Sequence, residues 1–430
     1  MLAALTFLLL FGPRLQILDL HMATTGLLAC YGVLRQLQLG VDARSTLLVV
    51  QLPALIYAAA IGALAGAADM TTPWLLIKWM VFLLAGLALA DLYERRGGNW
   101  EWRILRDVVA AAVINGLFVI AVVTIAPLRA AAGSLLSLDQ KGHWIETGFR
   151  GFDLSMGGGA SAAIVFSVIL VALLRHVSLF QHGVLAALSA AVLLAATLLT
   201  GRTGLVVFAM GVALLIARAA TARMGLLAPS KGNGFAWGFV ALVLAVTIAL
   251  LVSESSVAVH LRDVVLPWAL EGLIDAPGAA GNQSVSAIAN EMLFLPNSDG
   301  ALLFGTANAG RSDLLAYVPS DVGYVRLIFA VGLLGLLLIC FGLWPIARLA
   351  WVQRGSSPLA FCAGFYLFTM LITNFKELHF APRGGAALLA LFAAGLAIRL
   401  QRRMQLQGVG VIPPARAGTL AAAASSRQGA

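Results

Sequence analysis

The run VGYVRLIFAVGLLGLLLICFGLWPIA (residues 322–347) carries a single charged residue, Arg326. About 20 apolar residues suffice to cross a hydrocarbon core roughly 30 Å thick, so this run reads as a membrane span. Working outward, similar blocks lie at 357–373 and 384–399 on its C-terminal side. On its N-terminal side they lie near 1–12, 18–34, 46–66, 73–90, 108–126, 158–174, 183–200, 203–218 and 235–252. The reading is an all-α, polytopic transmembrane helical bundle of about 12 spans.

Composition agrees. Charged residues are 11% of the 430 and hydrophobic ones 61%. A soluble domain is about a quarter charged, so the polar surface here is too small to coat a globule. The net charge of +9 would suggest nucleic acid in a soluble protein. In a membrane protein it reads instead as Lys and Arg gathered in cytoplasmic loops, which excludes nucleic acid as the expected partner. Cys30, Cys340 and Cys362 fall in apolar blocks without CxxC spacing, so they are expected to be buried small hydrophobes. Residues 2–11 resemble a signal-peptide core. They lack a basic start and a small-residue cleavage site, and read as a short, retained first span.

The basic residues orient the bundle. Arg35 with Arg44, then Arg95, Arg96, Arg103 and Arg106, fall on one side. Arg175, then Arg218, Arg223 and Lys231, then Arg348 and Arg354, then Arg399, Arg402 and Arg403, alternate onto that same side. With twelve spans both termini are cytoplasmic, and Arg14 is the exception that sits outside. Residues 1–400 form the membrane domain. The tail 401–430, rich in Ala, Gly, Pro and Ser, has no hydrophobic period and is expected to be disordered.

Two outer loops exceed the ordinary connection length: about 127–157, and about 253–321 between spans 9 and 10. The second is neither charge-rich nor low in complexity, so it is expected to be ordered against the bundle. Within it His260, Asp263 and Glu271 share one helical face, with Leu261, Val264, Val265 and Trp268 on another, as in an interfacial helix.

Charges at membrane depth need a reason, because each costs roughly 2.5–3.5 kcal/mol to insert. Lys78 lies within the fourth span and either snorkels outward or faces an internal polar cavity. Arg150, Arg202, Arg311, Arg326, Arg383 and Lys376 fall in outer loops or at outer helix ends, against the charge bias. Singly, each could meet a lipid headgroup. Together they supply the planar donors that a pyrophosphate needs. Asp321 either helps cap the tenth span or serves as a general base. Gly157-Gly158-Gly159 lacks the Lys-Ser/Thr of a phosphate loop and reads as close helix packing. His143, His260 and His379 are isolated in sequence and expected at the surface. No His/Cys/Asp cluster has metal-ligand spacing.

Thr200-Gly201-Arg202-Thr203-Gly204-Leu205, and Ser320-Asp321-Val322-Gly323-Tyr324-Val325-Arg326 with Gly332 and Gly335, are similar to the Wzy family. These are bacterial O-antigen and exopolysaccharide repeat-unit polymerases. Gly148-Phe149-Arg150-Gly151 and Asn374-Phe375-Lys376 fit the same pattern. The resemblance implies a multi-span glycosyltransferase of the bacterial inner membrane with a periplasmic active site. Its substrate would be undecaprenyl-pyrophosphate-linked oligosaccharide. Membrane lipids, a chain-length regulator and a flippase of the same pathway would be its other partners.

On this reading Asp321, Arg202 and Arg326 are catalytic. Arg150, Arg311, Lys376, Arg383 and Lys78 bind pyrophosphate or glycan, and no metal or other cofactor is expected. The related O-antigen ligases, which send the same donor to lipid A core, have a His where Asp321 stands, which favours a polymerase. The length and the Ala and Gly content suggest an exopolysaccharide system of the xanthan type. The alternatives are a ligase and a transporter or flippase for lipid-linked sugars. A transporter would show repeated halves and broken midplane helices.

Overall fold

The computed structural model describes residues 1–39, 43–64, 71–137, 151–155, 159–176, 183–223, 259, 291–307, 318, 320–380 and 383–406. Among these the chain is helical, and the only β pairing is two isolated bridges, Arg14 to Asp19 and Leu15 to Leu136. The helices are α1 (Leu2–Phe11), α2 (Leu20–Leu39), α3 (Ala43–Val49), α4 (Leu52–Leu64), α5 (Thr71–Arg95) and α6 (Trp100–Thr124). They continue as α7 (Ala126–Leu135), α8 (Ala160–Arg175), α9 (Gly183–Thr200), α10 (Arg202–Arg223), α11 (Asp299–Phe304), α12 (Gly323–Val352), α13 (Pro358–Thr373) and α14 (Arg383–Leu406).

Among the described residues seven stretches are long and apolar enough to cross a membrane: Arg44–Leu64, Thr72–Arg95, Trp100–Thr124, Gly183–Thr200, Arg202–Thr221, Gly323–Val352 and Arg383–Leu406. Leu2–Phe11, Ala160–Arg175 and Pro358–Thr373 are apolar but shorter. The chain is a helical membrane protein. Helices also occupy the second expected position, where α2 is long enough but carries His21, Arg35, Gln36 and Gln38. The stretch 235–252 lies outside the described residues, as do the interfacial helix read around His260 and the tail beyond 406.

Some helices are interior and others form the rim. The apolar part of α14 is 83% buried while that of α10 is 22% buried, so among the described helices α14 is interior and α10 peripheral. Small residues permit the close crossings. A Cβ on Gly86 of α5 would lie 2.7 Å from the Ala390 carbonyl carbon of α14, and one on Gly32 of α2 would lie 2.6 Å from Leu84 O. Ser167 of α8 donates to Gly204 O of α10 at 2.7 Å. The ten-residue α1 is only about 15 Å long, and its Leu9, Leu10 and Phe11 are buried against the other helices. Cys362 is buried as expected. Cys30 and Cys340 are not, and sit on exposed faces of apolar helices instead, because the apolar blocks are wider than the faces that protein covers.

Among the described spans two depart from a continuous helix: Arg44–Leu64 is divided into α3 and α4, and α12 is broken within its length. Within α12, Gly332 has φ 65 and ψ −176, which breaks the hydrogen-bond ladder roughly 14 Å from the helix start. A segment that follows α11 fills the break. Thr306 N and Oγ1 donate to Phe329 O at 2.7 and 2.9 Å, and Ala307 N donates to Ala330 O at 3.0 Å. Tyr57 of α4 donates to Phe304 O at 3.1 Å, pinning the same segment from the other side. Non-helical backbone at this depth is tolerated where such partners satisfy it.

Candidate functional site

The charged residues separate into two ends of the bundle. At one end Asp91 of α5, with a side chain only 3% exposed, meets Arg44 at 2.9 Å, Arg95 at 2.8 Å and Arg35 at 3.6 Å. Arg44 also donates to Gln401 of α14 at 2.8 Å, and Arg402 pairs with the nearby Glu94 at 3.4 Å. Arginines that the sequence assigns to several separate loops thus gather at one basic end.

The opposite end is built on backbone. Arg14 N donates to Leu154 O at 3.1 Å and Gly151 N donates to Leu199 O at 2.8 Å. Leu154 N reaches Asn115 Oδ1 of α6 at 3.1 Å. These bonds draw the 12–19 segment and the 151–155 segment over the ends of α6 and α9, next to the start of α10.

Onto this end α10, α12, α13 and α14 bring the residues expected to carry chemistry. Asn374, buried at the end of α13, organises them. Its Nδ2 donates to Met370 O at 2.7 Å, its Oδ1 accepts from His379 N at 2.9 Å, and its carbonyl accepts from Tyr324 N at 3.2 Å. Gly323 lies so close to this turn that a Cβ there would stand 2.6 Å from Asn374 Oδ1. Tyr324 OH donates to Leu371 O at 2.7 Å, and its ring meets Phe375 edge-on at 4.8 Å. The start of α12, with Asp321 before it and Arg326 on it, is thereby fixed against the 374–379 turn that carries Lys376. Lys376 Nζ in turn donates to Thr203 Oγ1 of α10 at 3.1 Å, which places it beside Arg202.

The turn then reaches a second group of charges. Phe380 packs on Trp79, 6.3 Å between ring centroids, next to Lys78. Arg383 opens α14 and pairs with Asp19 at 2.7 Å. Lys78 is half-buried and within electrostatic reach of Arg383. Arg202, Asp321, Arg326, Lys376, Arg383 and Lys78 therefore share one end of the bundle, in two neighbouring groups. Arg150 and Arg311 lie outside the described residues, as do His143 and His260.

Two expectations are corrected. His379 is not at the surface: it is 1% exposed, because the Asn374 hydrogen bonds fold its turn back into the bundle. Neither of its ring nitrogens has a hydrogen-bond partner among the described residues. The cap of α12 also differs: Val322 is the N-cap residue, and its N–H donates to Ser320 Oγ at 3.1 Å. Sequence reasoning passed over Asp19 and the buried Asp153, whose Oδ2 accepts from Ser155 at 2.9 Å. Asp19 could have been found as the one carboxylate between Arg14 and the first well-formed span.

Burial, and then the Lys376 charge, push the His379 imidazole down to about 4. Its reference value is near 6.5, so between pH 6.5 and 4 the unfolded chain binds a proton that the folded one refuses. Stability from this site is fully present above pH 6.5 and is lost as the pH falls through 4. Acidification from pH 7 to pH 5 should cost on the order of 2 kcal/mol here. Thermal unfolding of His379→Gln across that range should show a weaker pH dependence than the parent. An identical pH profile would contradict the placement.

Chemically, this end offers several cations together with the carboxylates of Asp19, Asp153, Asp321 and Glu377 and the neutral, enclosed His379 imidazole. Asp19 is engaged by Arg383 and Asp153 is buried, whereas Asp321 is half-buried. The chain matches no protein-family model and no curated protein sequence.

Proposed function

We propose that the chain is a Wzy-type glycosyltransferase that polymerises undecaprenyl-pyrophosphate-linked repeat units on the periplasmic face of the bacterial inner membrane. In this reading it has about twelve spans, both termini are cytoplasmic, and the 253–321 loop covers the outer end. The observation that carries the reading is the contact between Lys376 and Thr203. It sets Lys376 beside Arg202, while Asn374 holds the start of α12, and so Asp321 and Arg326, against the same turn.

The chemistry follows from that arrangement. A hydroxyl on the end sugar of a new repeat unit attacks the anomeric carbon of the growing glycan. The bond from that carbon to pyrophosphate breaks, the hydroxyl proton passes to Asp321, and undecaprenyl pyrophosphate departs. Negative charge develops on the departing phosphate oxygens, and preorganised cations in a partly dehydrated site stabilise it. Arg202 and Arg326, with Lys376, are assigned to those oxygens. Arg383 and Lys78 flank them, and Arg150 and Arg311 are assigned to glycan or phosphate on the loops.

The break in α12 bears on the transporter alternative, since broken helices in transporters expose carbonyls to an ion or substrate. Here Thr306 and Ala307 occupy carbonyls at the break, which gives it a structural use.

Complementation with Arg202→Ala or Asp321→Asn, expressed at parental levels, tests the assignment. Losing one charge-stabilising donor or one general base costs about 100-fold or more in rate, so long polymer should disappear. Full-length polysaccharide from either variant would refute that residue's role.

A further inference from the structure

The basic end holds a cleft of about 520 Å³ between α6, α8, α10, α14 and the turn joining α12 to α13. Among the described residues six arginines line it: Arg175, Arg218, Arg354, Arg399, Arg402 and Arg403. Against them, among the same residues, stands one lining carboxylate, Glu101. That carboxylate is already engaged, in an ion pair with Arg399 and as acceptor of the Ser357 hydroxyl. Arg402 is paired with Glu94, outside the cleft. Among the described residues the other four, Arg175, Arg218, Arg354 and Arg403, pair with no carboxylate.

Positive charge in cytoplasmic loops is enough to orient a membrane protein. It does not require four uncompensated arginines to converge on one concavity, where their mutual repulsion is unfavourable. The local geometry leaves donors in reserve. The Arg175 guanidinium lies over the Phe361 ring at 4.3 Å and that of Arg354 over Trp351 at 4.0 Å. Stacking uses the face of a guanidinium and leaves its in-plane N–H edge for an acceptor. The Nε atoms of Arg175 and Arg399 are buried without hydrogen-bond partners among the described residues, as is His176 Nε2. Burial, and then the Arg175 and Arg218 charges, push the His176 imidazole down to about 4, so it adds a neutral polar group and no competing charge. The starts of α6 and α13 also line the cleft, and the positive ends of both helix dipoles reinforce the same potential.

We propose that this cleft binds a phosphate-bearing anion, with the headgroup of an anionic phospholipid as its expected occupant. Arginine forks match phosphate oxygens bidentately, and several of them in a partly enclosed space suit a multiply charged group. The rim favours lipid as the source. Trp351 beside Arg354 is 69% exposed and the lining Leu406 is 80% exposed, and exposed Trp at the end of a span marks the level where headgroups meet acyl chains.

The test uses the full chain, purified in phosphatidylcholine nanodiscs. Phosphatidylglycerol is titrated in one arm and inorganic pyrophosphate in the other, with thermal stability and bound lipid by native mass spectrometry as readouts. Phosphatidylglycerol should stabilise saturably, and the double variant Arg218→Gln/Arg354→Gln should bind at least about tenfold more weakly. Both arginines are exposed, so their replacement leaves the packed interior intact. Arg96→Gln, an exposed arginine at the same end but outside the cleft, should behave like the parent. A pyrophosphate response that the double variant loses would support the same site with a water-soluble source. No response to either anion would overturn the proposal. So would an equal loss in Arg96→Gln, since the effect would then be general surface charge.

Discussion

Gly332→Ala is expected to destabilise the folded protein by about 3 kcal/mol or more. Two independent costs coincide at this position. The backbone at φ 65, ψ −176 belongs to a region that only glycine occupies without strain. A Cβ would also stand 2.3 Å from Leu303 O and 2.6 Å from Gly305 N. Neither neighbour is a flexible side-chain end, so relief would require moving the segment that closes the break in α12. Gly305 sits in the mirror position, at φ 83 with its own Cβ 2.6 Å from Gly332 N, and Gly305→Ala should behave alike. Thermal unfolding and the yield of monodisperse protein measure the loss. Gly335, three residues away, has no positive φ, but its added Cβ would stand 2.3 Å from Val331 Cβ, an atom fixed to the backbone, so Gly335→Ala should be costly through the steric clash alone, without the added conformational strain. Parental stability in Gly332→Ala would contradict the break and its filling segment together.

Asp91→Asn should cost a similar amount, about 3–5 kcal/mol, for an electrostatic reason. The carboxylate is 3% exposed and faces three arginines drawn from α2, α3 and α5. Replacing it with an amide keeps the shape and removes the one charge those arginines share, leaving the enclosed Arg44 beside the more exposed Arg35 and Arg95 without the carboxylate between them. The arginines are not equivalent. Arg35 is 30% exposed and 3.6 Å away, whereas Arg44 is 12% exposed at 2.9 Å. Arg35→Gln should therefore cost under about 1 kcal/mol, in the range of exposed pairs, and Arg44→Gln distinctly more. Thermal unfolding of the three variants gives the ranking. An Asp91→Asn variant as stable as the parent would show that the cluster adds nothing.

Where the sequence was informative, it was so for a physical reason. Lipid tolerates no long polar run, so apolar blocks announce helices: α8, α9 and α13 lie close to their expected bounds, while α5, α6 and α14 run several residues beyond theirs into the polar helix ends. The same argument is blind to depth. Residues 322–347 are apolar from end to end, and hydropathy cannot register that Gly332 interrupts the helix, since the partners filling the break come from residues 306–307. Nor can it tell a lipid-facing cysteine such as Cys340 from the buried Cys362. At the candidate site, charge at helix ends pointed to Arg202, Arg326, Lys376 and Arg383, because charges so placed are rare enough to stand out. His379 was missed because its burial follows from Asn374, an uncharged residue whose three hydrogen bonds are long-range or turn-specific. Asp91 was missed because a carboxylate beside basic residues at the end of a span looks like ordinary solvated surface until three helices converge on it.

The most direct test of the proposed function is the profile of lipid-linked glycans after deletion of the gene. The expected result is accumulation of single repeat units on undecaprenyl pyrophosphate, on the periplasmic leaflet and without polymer. Finished polymer retained on the carrier lipid would indicate a ligase, and single units held on the cytoplasmic leaflet would indicate a flippase. Either would contradict the assignment.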